Sequence, residues 1–221
     1  MLKLDLQMFG GRGAGSGLDM SYPSGGGGGN GGGGMDAQPG MMSSASAALG
    51  EKGRPMSTTS AVKNANPLYN EGREYQENCQ RCAVATEARM RGYDVQALPT
   101  FDDDAMPHGD NYLTNFVGAK TNRIQHTTPN ANRNDVERQM KGMGDGARAT
   151  MSFQWSGGKS GHVVNVVQRN GKTKYYDGQN GTEVSAPHLF RAISRSYSIN
   201  LTRVDNLDFS DTVNRAVRPR L

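Results

Sequence analysis

The clearest hydrophobic pattern lies in the middle of the chain. From Gln80 to Arg91 the residues are mostly strong helix formers without proline or glycine, and Cys82, Ala85, Ala88 and Arg89 recur on one side at three-to-four-residue spacing. This predicts a helix with Asn78 as N-cap and Gly92 just past its end. Tyr93–Leu98 reads as a short strand that stops before Pro99. Asn111–Val117 predicts a short helical turn with Tyr112, Leu113, Phe116 and Val117 inward. A second amphipathic helix, capped by Asn134 or Asp135, carries Val136, Met140 and Met143 on one face and ends among Gly142–Gly146.

The second half changes period. Residues 147–155 alternate, with Ala149, Met151, Phe153 and Trp155 on one side, and residues 162–168 form a β-branched strand. Asn170-Gly171 marks a hairpin, residues 173–177 return from it, and Thr182–Val184 follows after Gly178–Gly181. A helix near Pro187–Ile193 and a last strand over Ser196–Val204 complete the pattern, and the end of the chain is expected to fray. At the other end, Leu2, Leu4, Leu6 and Met8 alternate with polar residues. That pattern reads either as a frayed terminus or as a docking strand able to add to a partner's sheet.

Composition divides the chain further. More than half of the 30 glycines precede residue 51, and that region has too little apolar side chain to offset the entropy of ordering it. The expected organisation is a short segment at 1–17, a Gly/Ser-rich flexible linker at 18–65, one domain at 66–208 and a basic tail at 209–221. The formal charge of +4 is scattered, and no dense basic stripe is interleaved with aromatics, which argues against a nucleic-acid partner. No apolar run approaches the ~20 residues of a membrane span. The first residues lack a secretory apolar core, since Lys3, Asp5 and Gln7 interrupt it. A soluble protein without membrane partner or signal peptide is expected.

The two cysteines, Cys79 and Cys82, are spaced C-x-x-C. Zinc would require two more ligands, and His108, His126, His162 and His188 show no ligand spacing; no metal or other cofactor is expected. A redox pair would follow a strand in an early βαβ unit, which is missing here. One nucleophile with a buried neighbour remains. Cys79 is favoured because a helix N-terminus stabilises a thiolate, whereas Cys82 reads as a small buried hydrophobe. Asp102-Asp103-Asp104 lacks calcium-loop spacing and reads as a solvated loop. Gly158-Lys159-Ser160 joins two strands and has Phe153 where a phosphate loop needs glycine. Trp155 reads as core or pocket wall.

A cysteine nucleophile needs a base, and the base needs an orienting group. His162, at the start of its strand, can face the helix end carrying Cys79. Counting back from the hairpin places Asp177 close to opposite His162. Cysteine at a helix start with histidine and aspartate on later paired strands is papain-like in order.

Several blocks carry a closer resemblance: Asn66-Pro67-x-Tyr69, Tyr75, Asn78-Cys79-Gln80-Arg81-Cys82-Ala83-Val84-Ala85, Arg91-Gly92-Tyr93-Asp94-Val95, Gly146-Ala147-Arg148, Gly161-His162-Val163-x-Asn165 and Asp177-x-Gln179-x-Gly181. Over residues 66–185 the chain resembles the papain-fold toxin domains called glutamine deamidases, found in bacterial polymorphic toxins and phage head-associated proteins. The resemblance implies an α+β, papain-like fold, in which an N-terminal catalytic helix packs on an antiparallel sheet behind a glycine-rich arm. It also implies a Cys79, His162, Asp177 triad acting on a side-chain amide of a host protein, with Gln179 in support. Asn78 and Gln80 would shape the helix end, whose amides near Gln80 would stabilise an oxyanion. Protease and transglutaminase chemistry use the same triad and stay open.

The opening Leu4-Asp5-Leu6-Gln7-Met8-Phe9-Gly10-Gly11-Arg12-Gly13 resembles the start of structural and head-associated proteins of phages that infect Gram-positive bacteria. It implies a phage or prophage origin, attachment to a head or capsid protein through residues 1–17, and a location on the virion or in the host bacterial cytoplasm. An immunity protein is a further expected partner. The rival expectation is a phage structural protein that keeps the fold without the chemistry.

Overall fold

The computed structural model describes residues 43–100, 110–158 and 160–220. The opening alternation, the glycine run, Asp102–Asp104, His108 and Lys159 lie outside the described residues.

The fold begins earlier than the composition suggests. Helix α1 (Ser44–Leu49) and helix α2 (Thr58–Lys63) are capped by the Ser43 and Ser57 hydroxyls, which accept from the Ser46 and Ser60 amides. Ala48, Leu49, Ala61 and Val62 are buried, so the expected linker through residue 65 is corrected over 43–65. Its apolar residues are few, but each is covered by segments distant in sequence.

A short helix, α3 (Arg73–Gln76), leads into α4 (Cys79–Met90). The sequence predicts one apolar side for α4, yet every residue from Arg81 to Met90 is buried. Its charged members are accommodated by pairing. Glu87, with no exposed surface, accepts from Arg148 Nε and Nη2 at 2.8 and 2.9 Å and from Arg91 Nε at 2.7 Å. Arg89 donates to the Val95 carbonyl at 2.8 Å and to Asp94 at 2.5 Å. Gly92 closes the helix at φ +105°, and the Tyr93 amide reaches back to the Ala88 carbonyl.

Strand β1 (Val95–Ala97) follows, then a 3₁₀ turn at Asp110–Asn115, strand β2 (Thr121–Ile124) and helix α5 (Pro129–Met143). The expected cap of α5 at Asn134 or Asp135 is corrected to Thr128, whose hydroxyl accepts from the Ala131 amide at 3.2 Å. Pro129 needs no amide partner in the first turn, so a stretch that reads as loop starts the helix instead.

Strands β3 (Arg148–Gln154), β4 (Gly161–Arg169), β5 (Lys172–Asp177) and β6 (Thr182–Val184), helix α6 (Ala186–Ala192) and strand β7 (Ile199–Arg203) complete the predicted β-rich half. Asn170 and Gly171 both take positive φ, 50° and 71°, in the predicted hairpin. The six-stranded sheet is antiparallel throughout, in the order β2-β7-β3-β4-β5-β6. Met151, Phe153, Val164, Val166 and Leu201 pack with Val136 and Met140 of α5 and Leu189 and Phe190 of α6. Val163 packs with Ala83 and Val84 of α4, while Val167 and Tyr176 meet Ala61 and Val62 of α2. Both faces of the sheet are thus covered, which is why β4 is buried from His162 to Gln168.

The end of the chain does not fray as expected. A 3₁₀ turn at Asp211–Arg215 lies against α1, and strand β8 (Val217–Pro219) pairs with β1. Val213, Ala216 and Val217 are buried, and the Arg220 amide donates to the Asp94 carbonyl. The arginines that read as a basic tail are spaced by these buried residues, and their pairing needs a strand more than a hundred residues away.

Candidate active site

Helix α4 begins at Cys79. Asn78 occupies the N-cap position, but its side chain makes no cap hydrogen bond. It turns away into a buried amide pair, exchanging hydrogen bonds with Asn66 at 3.3 Å in both directions. Its NH2 group also donates to the Leu98 carbonyl at 3.0 Å. The Cys82 thiol donates to Asn78 Oδ1 at 3.0 Å.

That contact separates the two cysteines. Cys82 is buried, and burial pushes its thiol well above the ordinary value, with the nearby Cys79 and Asp177 charges adding to the effect. Cys79 is only partly buried, and it adds to the upward push on the His162 imidazole.

His162 is the second residue of β4 and Asp177 the last of β5, so both lie at one end of the hairpin. The register sets Tyr176 opposite Asn165, which puts Asp177 beside Val164 rather than His162. The two site residues are therefore diagonal neighbours on one sheet face, within reach because side chains at that offset still meet. His162 Nε2 lies 2.9 Å from Asp177 Oδ2, which leaves Nδ1 for Cys79. Asp177 is itself held: Oδ1 accepts from the Gln179 amide at 2.9 Å and Oδ2 from Asn180 Nδ2 at 3.1 Å.

The charges support one another. Burial works against an imidazolium at His162, but the Asp177 charge and hydrogen bond, with Cys79 adding to them, push it up to about 10. Burial likewise works against ionising Asp177, and His162 together with the Gln179 and Asn180 backbone amides holds its carboxyl below the ordinary range. His162 is also walled in. Trp155 stacks on the imidazole with centroids 5.4 Å apart and planes 26° apart, and Phe153 meets it edge-on at 5.9 Å. Trp155, expected as core or pocket wall, is the wall beside the histidine.

Gln179 joins the site through its backbone and by donating from Nε2 to the Gln76 carbonyl at 2.5 Å. Sequence reasoning missed two contributors. Asn66, which the sequence offered only as part of the Asn66-Pro67-x-Tyr69 block without a site role, ties this region together. Gly178 brings the end of β5 directly onto α4: a Cβ there would come 2.3 Å from Thr86 Oγ1 and 3.0 Å from the Cys82 carbonyl oxygen. His126 and His188 stand apart, bonded to Asp135 and Ser185 respectively. Among the described residues no three His, Cys, Asp or Glu side chains converge as metal ligands, and no helix is long and apolar enough to cross a membrane. Two surface clefts, of about 460 Å³ beside α1 and about 630 Å³ between α5 and the β4–β5 hairpin, include none of Cys79, His162 or Asp177.

An α+β fold with a cysteine-bearing helix against an antiparallel sheet is papain-like in architecture. Residues 77–182 match the family described as "Papain fold toxin 1, glutamine deamidase". A domain of that kind is therefore present in part of the chain, and the match supports a function of cysteine-hydrolase type. It runs from the residue pair before α4 to the first residue of β6, and so includes Cys79, His162 and Asp177. No curated protein and no solved structure matches the chain.

Proposed function

We propose that the protein is a cysteine amidohydrolase that deamidates a glutamine side chain of a host protein, with Cys79 as nucleophile, His162 as acid and base, and Asp177 as orienting group. The observation that supports this reading is the buried His162–Asp177 hydrogen bond, whose imidazole is also pushed up by Cys79, within the stretch that matches the deamidase family. The aspartate fixes Nε2 as the protonated nitrogen, which leaves Nδ1 to take the thiol proton.

The Cys79 thiolate attacks the glutamine δ-carbonyl carbon, and the first-turn amides of α4 face the developing oxyanion. The imidazolium gives its proton to the departing nitrogen, the C–N bond breaks, and ammonia leaves a thioester on Cys79. His162 then takes a proton from water, whose oxygen adds to the thioester carbonyl. The C–S bond breaks, glutamate is released and the thiol is restored. The aromatic wall of Trp155 and Phe153 keeps the buried His162–Asp177 pair in a low-dielectric setting, where its charges act more strongly.

The resemblance of residues 1–17 to phage structural proteins, together with the glycine-rich stretch that follows, supports an effector attached to a phage head protein. Its action would be in the host bacterial cytoplasm, with an immunity protein as counterpart. Intact-mass analysis of host proteins after incubation tests the chemistry. Wild type should add about one dalton per site, and Cys79→Ala none. Cleaved products would instead mean a protease, cross-linked products a transglutaminase, and no product from a broad lysate a structural protein.

A further inference from the structure

Asn66 lies outside the family match and touches none of the three triad side chains through any bond described above. Its side chain nevertheless joins the backbone segments next to Cys79 and Asp177. Asn66 Nδ2 donates to the Gln179 carbonyl at 3.0 Å and to the Tyr75 carbonyl at 2.8 Å, and it shares the amide pair with Asn78 at 3.3 Å. Asn66 Oδ1 accepts from Asn78 Nδ2. Asn78 is covalently joined to Cys79, and the amide of Gln179 holds Asp177 Oδ1. A continuous chain results, from Cys79 through Asn78, Asn66, Gln179 and Asp177 to His162.

The chemistry of the residue suits this place. That arrangement needs donors toward two backbone carbonyls and, in the same plane, an acceptor toward a neighbouring amide. Only a primary amide offers both. Asn66 and Asn78 are both buried, so water cannot substitute for a lost partner, and the donors are not interchangeable with solvent. Gln179 Nε2 bonded to the Gln76 carbonyl makes a second, parallel tie between the same two segments.

We propose that Asn66 is a positioning residue: it fastens the start of the cysteine-bearing helix to the loop after Asp177 and so sets the approach of the Cys79 thiol to the imidazole. This rests on the triad reading given above. Because the thiol and imidazole come from different segments, their distance depends on such a tie, and a misplacement near 1 Å can cost about 10²-fold in rate.

The test is the rate at which iodoacetamide alkylates Cys79, measured by peptide mass from pH 5 to 10 alongside the melting temperature, for wild type, Asn66→Ala and Asn66→Asp. The second variant keeps the shape and replaces the donor with an acceptor. The expected result is a folded protein whose Cys79 reacts about 10- to 10²-fold more slowly at neutral pH. The gap from wild type should narrow as pH rises, because a thiolate forms there without help from the imidazole. A lowered melting temperature with an unchanged pH profile would overturn the proposal, and so would failure of both variants to fold, since Asn66 would then serve the fold alone. If wild type itself reacts like a free thiol, the triad reading fails; a fast wild type with unaltered variants defeats only the role of Asn66.

Discussion

Replacing Asp177 by asparagine perturbs the site with almost no change of volume. The Gln179 amide donates to Asp177 Oδ1 at 2.9 Å, so the carbonyl oxygen of the substituted side chain is drawn to that position. Its NH2 group then takes the place of Oδ2, which lies 2.9 Å from His162 Nε2. Two donors cannot face one another there. The neutral imidazole responds by carrying its proton on Nδ1, the nitrogen left for Cys79, and an N–H at that position cannot accept the thiol proton. In a serine triad the corresponding change costs about 10⁴-fold in kcat, and a loss on the order of 10³- to 10⁴-fold is expected in deamidation and in alkylation of Cys79. The ionisation should follow. With the carboxylate gone, burial is opposed only by the smaller Cys79 contribution, and His162 should fall well below about 10. Imidazole NMR titration of wild type and Asp177→Asn, assigned with His162→Gln, reads this directly. A His162 that still titrates above about pH 9 in the variant, or a Cys79 that is alkylated as fast as before, would refute the reasoning.

Other outcomes follow from neighbouring features. The His162–Asp177 pair is one interaction seen from two partners. From His162, its contribution to stability is complete below the unfolded value of about 6.5 and is lost as pH rises through about 10. From Asp177, it is present above about 3.9 and lost as pH falls through the depressed folded value. Urea unfolding of wild type and Asp177→Asn at a series of pH values should show the difference vanish at both ends. Glu87→Ala leaves Arg91 and Arg148 without their buried counter-charge and should cost about 3–5 kcal/mol in the same unfolding measurement; a loss below about 1 kcal/mol would mean the pairs are effectively solvated. Gly178→Ala drives a methyl group against Thr86 Oγ1 and the Cys82 carbonyl, and a destabilisation of about 1–3 kcal/mol is expected. With equimolar iodoacetamide at neutral pH, peptide mapping should find Cys79 modified well before Cys82, whose thiol is buried and pushed up; equal labelling would contradict the environments described.

Sequence alone determined the elements that rest on local rules. The α4 helix and its Gly92 stop, the Asn170-Gly171 hairpin and the order of the strands after it are all written in short-range spacing. The pairing of His162 with Asp177 was nearly as legible, because a tight hairpin counts residues from its turn; the count was off by one diagonal, since neighbouring strands bring side chains together at that offset too. What sequence could not determine depended on partners distant in the chain. The helices at 44–49 and 58–63 are apolar only in places, and they fold because α4, β5 and the C-terminal turn cover those places. The terminal arginines read as a basic tail until β8 finds β1. Asn78 looked like a helix cap, and its amide was instead claimed by Asn66 and Cys82, because a buried amide with several partners outcompetes one first-turn bond. Tertiary structure decided these matters for a single physical reason. Burial and hydrogen-bond satisfaction are properties of the assembled chain, while helix starts and hairpin turns are properties of a few consecutive residues.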